Sequence, residues 1–171
     1  MNYYGGLCLD GKDSIPEEYK DLLYIGENVI IKTGTVLAGD GFGYHFPSME
    51  HKEHRHGVQI HDSVHVGSLC TIDRGRHRDT IIKKNTKLDN FVHVAHNVII
   101  GENCLIGPKV CILGSVEIGN GTIVWSGAII HQGVKIGNNC VIGANSYVRH
   151  DVPDGELWYG SPATFIKPNT P

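Results

Sequence analysis

Aliphatic residues fall at every sixth position along most of the chain: Ile82, Leu88, Val94, Ile100, Ile106, Ile112, Ile118, Val124, Ile130, Ile136, Ile142 and Val148. A second column, four residues further on, holds only small or β-branched residues: Thr86, Val92, Val98, Cys104, Val110, Val116, Thr122, Ala128, Val134, Cys140, Ser146 and Val152. The same period appears upstream at Ile60, Val66 and Ile72, and again at Ile25, Ile31 and Leu37. It predicts one short strand and one corner per hexad. Three hexads close a triangular coil, and successive coils stack as parallel strands ~4.8 Å apart. The aliphatic column is then the interior of the prism, where each buried side chain contributes ~1.5–3 kcal/mol. Glycine often follows the aliphatic residue (Gly26, Gly67, Gly101, Gly107, Gly119, Gly137, Gly143), which predicts left-handed backbone at those corners.

Two stretches break the count. Residues 40–59 form a polar, histidine-rich loop too long for a corner, and long loops in compact domains tend to carry function. Residues 75–80, GRHRDT, insert four residues between Ile72 and Ile82. The predicted organisation is an N-terminal segment over 1–24, a β-solenoid over 25–153 carrying the 40–59 loop, and a tail over 154–171. Ser14 and Glu17 have capping-box spacing and predict a short helix reaching about Leu23. Composition agrees with the repeat: 22 glycines and only 8% aromatics in 171 residues suit many short strands and tight corners. The net charge of −3 argues against nucleic acid as a partner. No apolar run is long enough to predict membrane insertion. The cysteines number five, and Cys70, Cys104 and Cys140 recur at one repeat position, so they read as small buried thiols of a reducing, cytoplasmic setting.

Because every third hexad shares a face, columns can be read from the sequence alone. One face carries the hexads beginning at Ile72, Val94, Ile112, Ile130 and Val148, together with Leu37. Its third-position column is Arg74, His96, Gly114, Gln132 and His150; its second-position column is Asp73, Ala95, Leu113, His131 and Arg149. Ionisable residues and both interruptions therefore converge on one side of the prism. Acyl transfer from a thioester to an amine needs a base for the amine proton and a donor for the oxyanion. His96 suits the first role near neutrality. Gly114, one coil away, offers an N–H that no side chain shields. A histidine in a β-solenoid also has a plain packing reading, under which the chain is a binding or structural solenoid. His51, His54 and His56 raise the question of a metal, but a charged loop lacks the rigid framework that zinc ligands need, so no metal is expected.

The same residues carry a resemblance. TIDRGRHRDT followed by IIKKNTKLDNFVHVAHNVIIGENCLIGPKVCILGSVEIG, with AGDGFGY at the start of the long loop, resembles the core of the UDP-3-O-acylglucosamine N-acyltransferase family. The hexad pattern itself resembles that of the bacterial hexapeptide acyltransferases. Spacing does not set the hand of the coil; the resemblance implies a left-handed parallel β-helix, all-β, assembled as a homotrimer with active sites at subunit interfaces. It implies His96 as catalytic base and Gly114 as oxyanion donor. It also implies a nucleotide-linked amino sugar bound near Asp73, Arg74, Asp89, Asn90 and Asn97. The chain departs from the family in having only residues 1–24 before the first hexad, where members carry a uridine-gripping domain. Its ending, VPDG…YGSPA, instead resembles hexapeptide acetyltransferases that use acetyl-CoA. That likeness implies acetyl-CoA as co-substrate near Leu113, Gly127, Gln132, Gly160 and Pro162, with an acyl-carrier-protein donor as the alternative.

Overall fold

The computed structural model describes residues 7–8 and 17–169. Six coils wind around a triangular prism, a left-handed parallel β-helix with almost no helix. Face 1 is built from Leu23–Ile25, Val58–Ile60, Thr80–Ile82, Ile99–Ile100, Glu117–Ile118 and Lys135–Ile136. Face 2 runs from Ile30–Ile31 through His65–Val66, Lys87–Leu88, Leu105–Ile106 and Ile123–Val124 to Val141–Ile142. Face 3 holds Val36–Gly39, Thr71–Asp73, His93–Val94, Cys111–Ile112, Ile129–Ile130 and Tyr147–Val148. The register pairs Ile72 with Val94, Val94 with Ile112, Ile112 with Ile130 and Ile130 with Val148, which is the column read from the sequence. Leu37 pairs with Ile72 on the same face. The aliphatic residues of all three faces fill the interior; Leu37, Ile60, Ile72, Ile82, Ile100, Ile112, Ile130 and Ile142 are fully buried.

The small-residue column also has a structural job. Thr86 Oγ1 donates to the Gly101 carbonyl (2.7 Å) and accepts the N–H of Cys104 (3.0 Å). Thr35 with Cys70, and Thr122 with Cys140, repeat the arrangement. Each threonine thus satisfies two backbone groups inside the corner, which would otherwise be buried without partners. Burial pushes the thiols of Cys70, Cys104 and Cys140 up, so they stay protonated and unreactive.

The corner glycines require a correction. The left-handed residue lies three positions after the aliphatic one: Asn85, Phe91, Asn97, Asn103, Lys109, Ser115, Gly121, Gly127, Gly133, Asn139 and Asn145 all have φ between 53° and 76°. The glycines directly after the aliphatic column are there for close approach. A Cβ on Gly119 would lie 2.5 Å from the backbone of Gly137 on the next coil, and one on Gly67 would lie 2.5 Å from that of Asp89. Asparagine tolerates the left-handed region because its short polar side chain bonds locally.

The ends are closed by antiparallel pairing. Leu7–Cys8 pairs with Val36–Gly39 at the top of face 3. Glu156–Gly160 extends face 2 beside Val141–Ile142, and Ala163–Pro168 folds back on it. The helix expected to reach Leu23 is a single 3-10 turn, Glu17–Tyr19, because Leu23–Ile25 is already committed to face 1; Ser14 lies outside the described residues. The long loop is also shorter than its expected span, since Val58 and Gln59 belong to the Val58–Ile60 strand. Among the described residues, no helix is long and apolar enough to cross a membrane.

Candidate active site

Both interruptions leave the prism at one corner, between faces 3 and 1, and His96 occupies that corner two coils below the first and one coil below the second. The 40–57 loop is ordered by its own hairpin, Tyr44–His45 against Glu50–His51. It is pinned at its root by Asp40, whose carboxylate accepts a hydrogen bond from Arg74 Nε at 2.5 Å with both side chains largely buried. His51 Nε2 meets the Gly41 carbonyl at 3.0 Å and draws the hairpin back over that root. The second interruption is fixed from below. Asn97, in the left-handed conformation, turns its Oδ1 to accept the N–H groups of Arg76 (2.7 Å) and His77 (2.9 Å). Arg78 Nε donates to the Asn97 carbonyl, and its Nη1 pairs with Glu117 at 2.8 Å. Asp79 accepts the N–H of Gly57 and the side-chain amide of Gln59, tying the two interruptions together.

His96 lies between these supports. Asn97 Nδ2 is 2.9 Å from His96 Nδ1. Because Asn97 Oδ1 already accepts two N–H groups, its amide cannot be reversed without setting donor against donor, so Nδ2 donates and Nδ1 accepts. The neutral ring therefore carries its proton on Nε2. The ring rests on Gly114: a Cβ there would lie 2.6 Å from His96 Cε1 and 2.9 Å from Nε2, so only glycine fits beneath it. The coil uses the Leu113 N–H, the Ser115 N–H and the Gly114 carbonyl in its hydrogen bonds, and the Gly114 N–H takes no part in them. Burial holds His96 below its ordinary pKa, with the charge of Arg76 adding to it.

The acidic side of the site is Asp73. It is pushed up to about 7 by burial, with the Asp40 carboxylate as a second cause. It faces His93 Nε2 at 3.9 Å, while His93 Nδ1 meets Thr71 Oγ1 at 2.7 Å. Burial lowers His93.

The sequence-derived candidates divide by corner. His96, Gly114, Asp73, Arg74, Asn97, Leu113 and Gln132 gather at the face 3–face 1 corner or beside it. Arg74 and Asn97 do not point outward: both are buried, Arg74 bound to Asp40 and Asn97 spent on the insertion and on His96, so they build the site from behind. Asp89, Asn90 and Gly127 lie at the other edge of face 3, and Gly160 and Pro162 lie in the tail turn near that edge. There Asn90 Oδ1 accepts the Ser68 N–H, and the Gly160 N–H donates to Ser146 Oγ at 3.2 Å. Asp89 also lines a groove of about 330 Å³ on face 2 with Lys87, Leu105, Gly107 and Trp125, away from His96. Among the described residues, no group of three or more His, Cys, Asp or Glu is arranged around a common point to hold a metal ion.

In the sequence His54 reads only as a candidate metal ligand. The structure places it in the loop's interior, 1% exposed, its ring centroid 5.3 Å from that of His96. No spacing rule links positions 54 and 96; the only signal was a histidine-rich loop leaving the coil next to the histidine column.

Residues 79–114 and 115–150 match the family model described as bacterial transferase hexapeptide (six repeats), and residues 97–132 match the hexapeptide repeat of succinyl-transferase. A UDP-3-O-acylglucosamine N-acyltransferase of Methylobacterium nodulans is 40% identical over 145 residues, covering 84% of this chain and 41% of that protein. One of Methylorubrum populi is 39% identical over the same extent. The chain thus spans about two fifths of the length of these relatives. Among solved structures, a UDP-N-acetylglucosamine acyltransferase superposes with a TM-score of 0.78 at 27% identity, over 86% of this chain and 56% of that one. The corresponding structure from Bacteroides fragilis has a TM-score of 0.78 at 24% identity, over 86% and 57%, and speaks for the fold alone.

Proposed function

The chain belongs to the hexapeptide-repeat family of bacterial transferases, and from that premise we propose that it transfers an acyl group from a thioester to the amine of a nucleotide-linked sugar. The observation that carries the reading is the His96 ring, clamped by Asn97 against Gly114, whose N–H the coil's hydrogen bonds leave unused. In the proposed reaction the amine nitrogen attacks the thioester carbonyl carbon. The new C–N bond forms as the carbonyl π electrons move to oxygen, and the Gly114 N–H stabilises that oxyanion. His96 accepts the amine proton and returns it to the sulfur as the C–S bond breaks, so amide and free thiol leave together. Freeing a ring lone pair means giving up the bond from Asn97, about 1 kcal/mol for a neutral pair. That is small against the roughly 100- to 10,000-fold a positioned base supplies. The lowered pKa keeps His96 unprotonated at neutral pH, as a base must be.

Acetyl-CoA is the proposed donor, supported by the tail hairpin that sets Gly160 and Pro162 beside the edge carrying Gly127. Leu113 and Gln132, in the columns beside His96, are the proposed contacts nearer the reacting thioester. A second reading, a longer acyl chain from an acyl-carrier protein, is supported by the 40% identity to a UDP-3-O-acylglucosamine N-acyltransferase. A homotrimer is proposed because Leu69, Phe91 and Trp125 stand half-exposed along the edge between faces 2 and 3. Such a run of large apolar groups calls for a partner. A neighbouring copy would bring Asp89 and Asn90 to the His96 corner, where they and Asp73 would bind the sugar nucleotide in a cytoplasmic enzyme.

Thiol release from acetyl-CoA with a panel of nucleotide-linked amino sugars tests this. Turnover on one sugar, reduced at least ~100-fold in His96→Ala, is the expected result. Turnover with acyl-carrier-protein thioesters alone selects the second donor, and turnover that survives His96→Ala removes the base from the mechanism.

A further inference from the structure

His54 has both ring nitrogens buried and neither has a hydrogen-bond partner. Leaving such groups without partners is unfavourable, so hydrogen bonding is not what holds this ring in place. What it does have is contact. Its ring stands edge-on to His96 at 61° and a centroid separation of 5.3 Å, and on its other side lies His51 at 5.4 Å. His51 in turn packs on Tyr44, and Tyr44 on Phe42. Gly41 is wedged at the junction, where a Cβ would lie 2.9 Å from His54 Nε2 and 2.9 Å from His96 Cδ2. The loop is anchored independently, by Asp40 on Arg74 and by its own hairpin. It therefore presents His54 to His96 from a fixed base. His96 has Asn97 at Nδ1, Gly114 against its Cε1–Nε2 side, and Gly41 at Cδ2 with the His54 ring beyond it.

We propose that His54 is a positioning residue for His96: through ring contact alone, the inserted loop holds the His96 imidazole on Gly114, in register with Asn97, and keeps water from it. This rests on the catalytic reading of His96 only for its effect on turnover; the effect on the ring itself stands apart from it. Burial is the chief cause that lowers His96, and Gly41 and His54 of this loop lie against its ring. The groups that face His96 are Arg76 and His77 from the insertion, His93 from its own face, and Lys52 and His54 from the loop. His54 faces His96, Asp40, His51 and Arg74, and is itself lowered to about 4 by burial, so it adds no charge beside His96 at neutral pH.

The test is to follow the histidine ring nitrogens of the full chain by NMR across pH 4–9, with His96→Gln to assign the signal. Three variants are compared: His54→Ala, His54→Phe and Gly41→Ala. In His54→Ala the His96 pKa should rise by about one unit as water reaches the ring, and the Nε2–H tautomer should give way to a mixture. Gly41→Ala should do the same by wedging the two rings apart, with His54 still present. His54→Phe, a flat ring of similar size, should restore both signatures. In turnover, His54→Ala should lower kcat about tenfold with KM unchanged, and His54→Phe should recover most of it. An unchanged His96 titration and tautomer in both His54→Ala and Gly41→Ala overturns the proposal. So does a His54→Phe protein as impaired as His54→Ala, since contact would then not be the means. If the wild-type chain transfers no acyl group, the catalytic reading falls while the NMR outcome still decides the role of His54.

Discussion

Two corners of this prism share one backbone and do different work. Between faces 1 and 2 the left-handed positions are Asn28, Ser63, Asn85, Asn103, Gly121 and Asn139; between faces 3 and 1 they are Asn97, Ser115 and Gly133. At the first corner the asparagine side chains serve the coil: Asn85 Nδ2 donates to Asn103 Oδ1 at 2.8 Å, and the solenoid continues undisturbed. At the second, Asn97 turns the same carboxamide inward, one end to an inserted segment and the other to a histidine. The conformation that lets the chain turn also sets the amide where it can organise something foreign to the repeat. Regularity makes the scaffold here, and chemistry enters where an insertion gives a corner residue new partners.

The sharpest contrast across face 3 is between its carboxylates. Asp73 has its side chain only 15% exposed and is raised to about 7; Asp89, at the opposite edge, is exposed. A carboxyl whose folded pKa lies above its unfolded value binds more protons in the folded state. Its favourable contribution is complete below about pH 4, is lost as pH rises from about 4 to 7, and leaves a constant penalty above. A shift of roughly three units corresponds to at most about 4 kcal/mol. Asp73→Asn should therefore stabilise the chain by up to that amount at pH 8 and by almost nothing at pH 4, whereas Asp89→Asn should be flat. Urea unfolding midpoints at the two pH values decide it; an Asp73→Asn gain that does not grow with pH would mean that Asp73 is not held protonated.

Next in size is the contrast between Gly114 and Gly133, successive positions near the same corner. At Gly114 a methyl group meets the His96 ring at 2.6 Å, while at Gly133 it meets nothing within 4 Å, although φ there is +76°. Gly114→Ala keeps its N–H but sets a methyl group against the His96 ring, so it should displace the base from beside the oxyanion donor and lower kcat on the order of 100-fold. Gly133→Ala should cost about 1 kcal/mol of stability through its backbone and leave turnover alone. Equal turnover in the two variants would separate His96 from the chemistry.

Much of this was legible in the sequence and some was not, for one physical reason. A hexad repeat fixes which residues share a face, so the core column, the register of face 3 and the neighbourhood of His96 and Gly114 could be read by counting. Counting stops at an insertion. His54 reaches His96 through the path of an 18-residue excursion, and Arg74 turns inward because Asp40 at the root of that loop neutralises it. The same limit explains the glycines: period six marked where small residues recur, but only the distance to the next coil shows that Gly119 and Gly67 answer crowding and not a left-handed turn. The separation of Asp89, Asn90 and Gly160 from His96 is likewise a matter of which edge of a face a residue occupies.

Asn97→Asp tests the contrast between corners directly. One carboxylate oxygen can still accept the N–H groups of Arg76 and His77, and aspartate tolerates the left-handed φ of 62°. The other oxygen can only accept, so the His96 tautomer should invert: the proton moves to Nδ1, and Nε2 gains a free lone pair. An adjacent negative charge favours the imidazolium, and the His96 pKa should rise by about one unit or more. The acid limb of the turnover profile should move up with it. Asn103→Asp, the same change at the plain corner, should alter neither. A His96 pKa that stays put in Asn97→Asp would show that the amide does not govern the ring.

The smallest effect belongs to the outermost tie of the insertion, Arg78 with Glu117. Both side chains are more than a third exposed, so water and salt screen the pair, and such surface bridges are worth between about 0 and 1 kcal/mol. Glu117→Gln should lower stability by no more than that, less at high salt, and should leave the His96 titration unchanged. The reason is geometric: the inner ties, Asn97 Oδ1 to two N–H groups and Asp79 to Gly57 and Gln59, remain in place to hold the segment. A Glu117→Gln protein with a displaced His96 signal would mean that the corner is held from its surface. The buried amide of Asn97 would then be following the insertion, not fixing it.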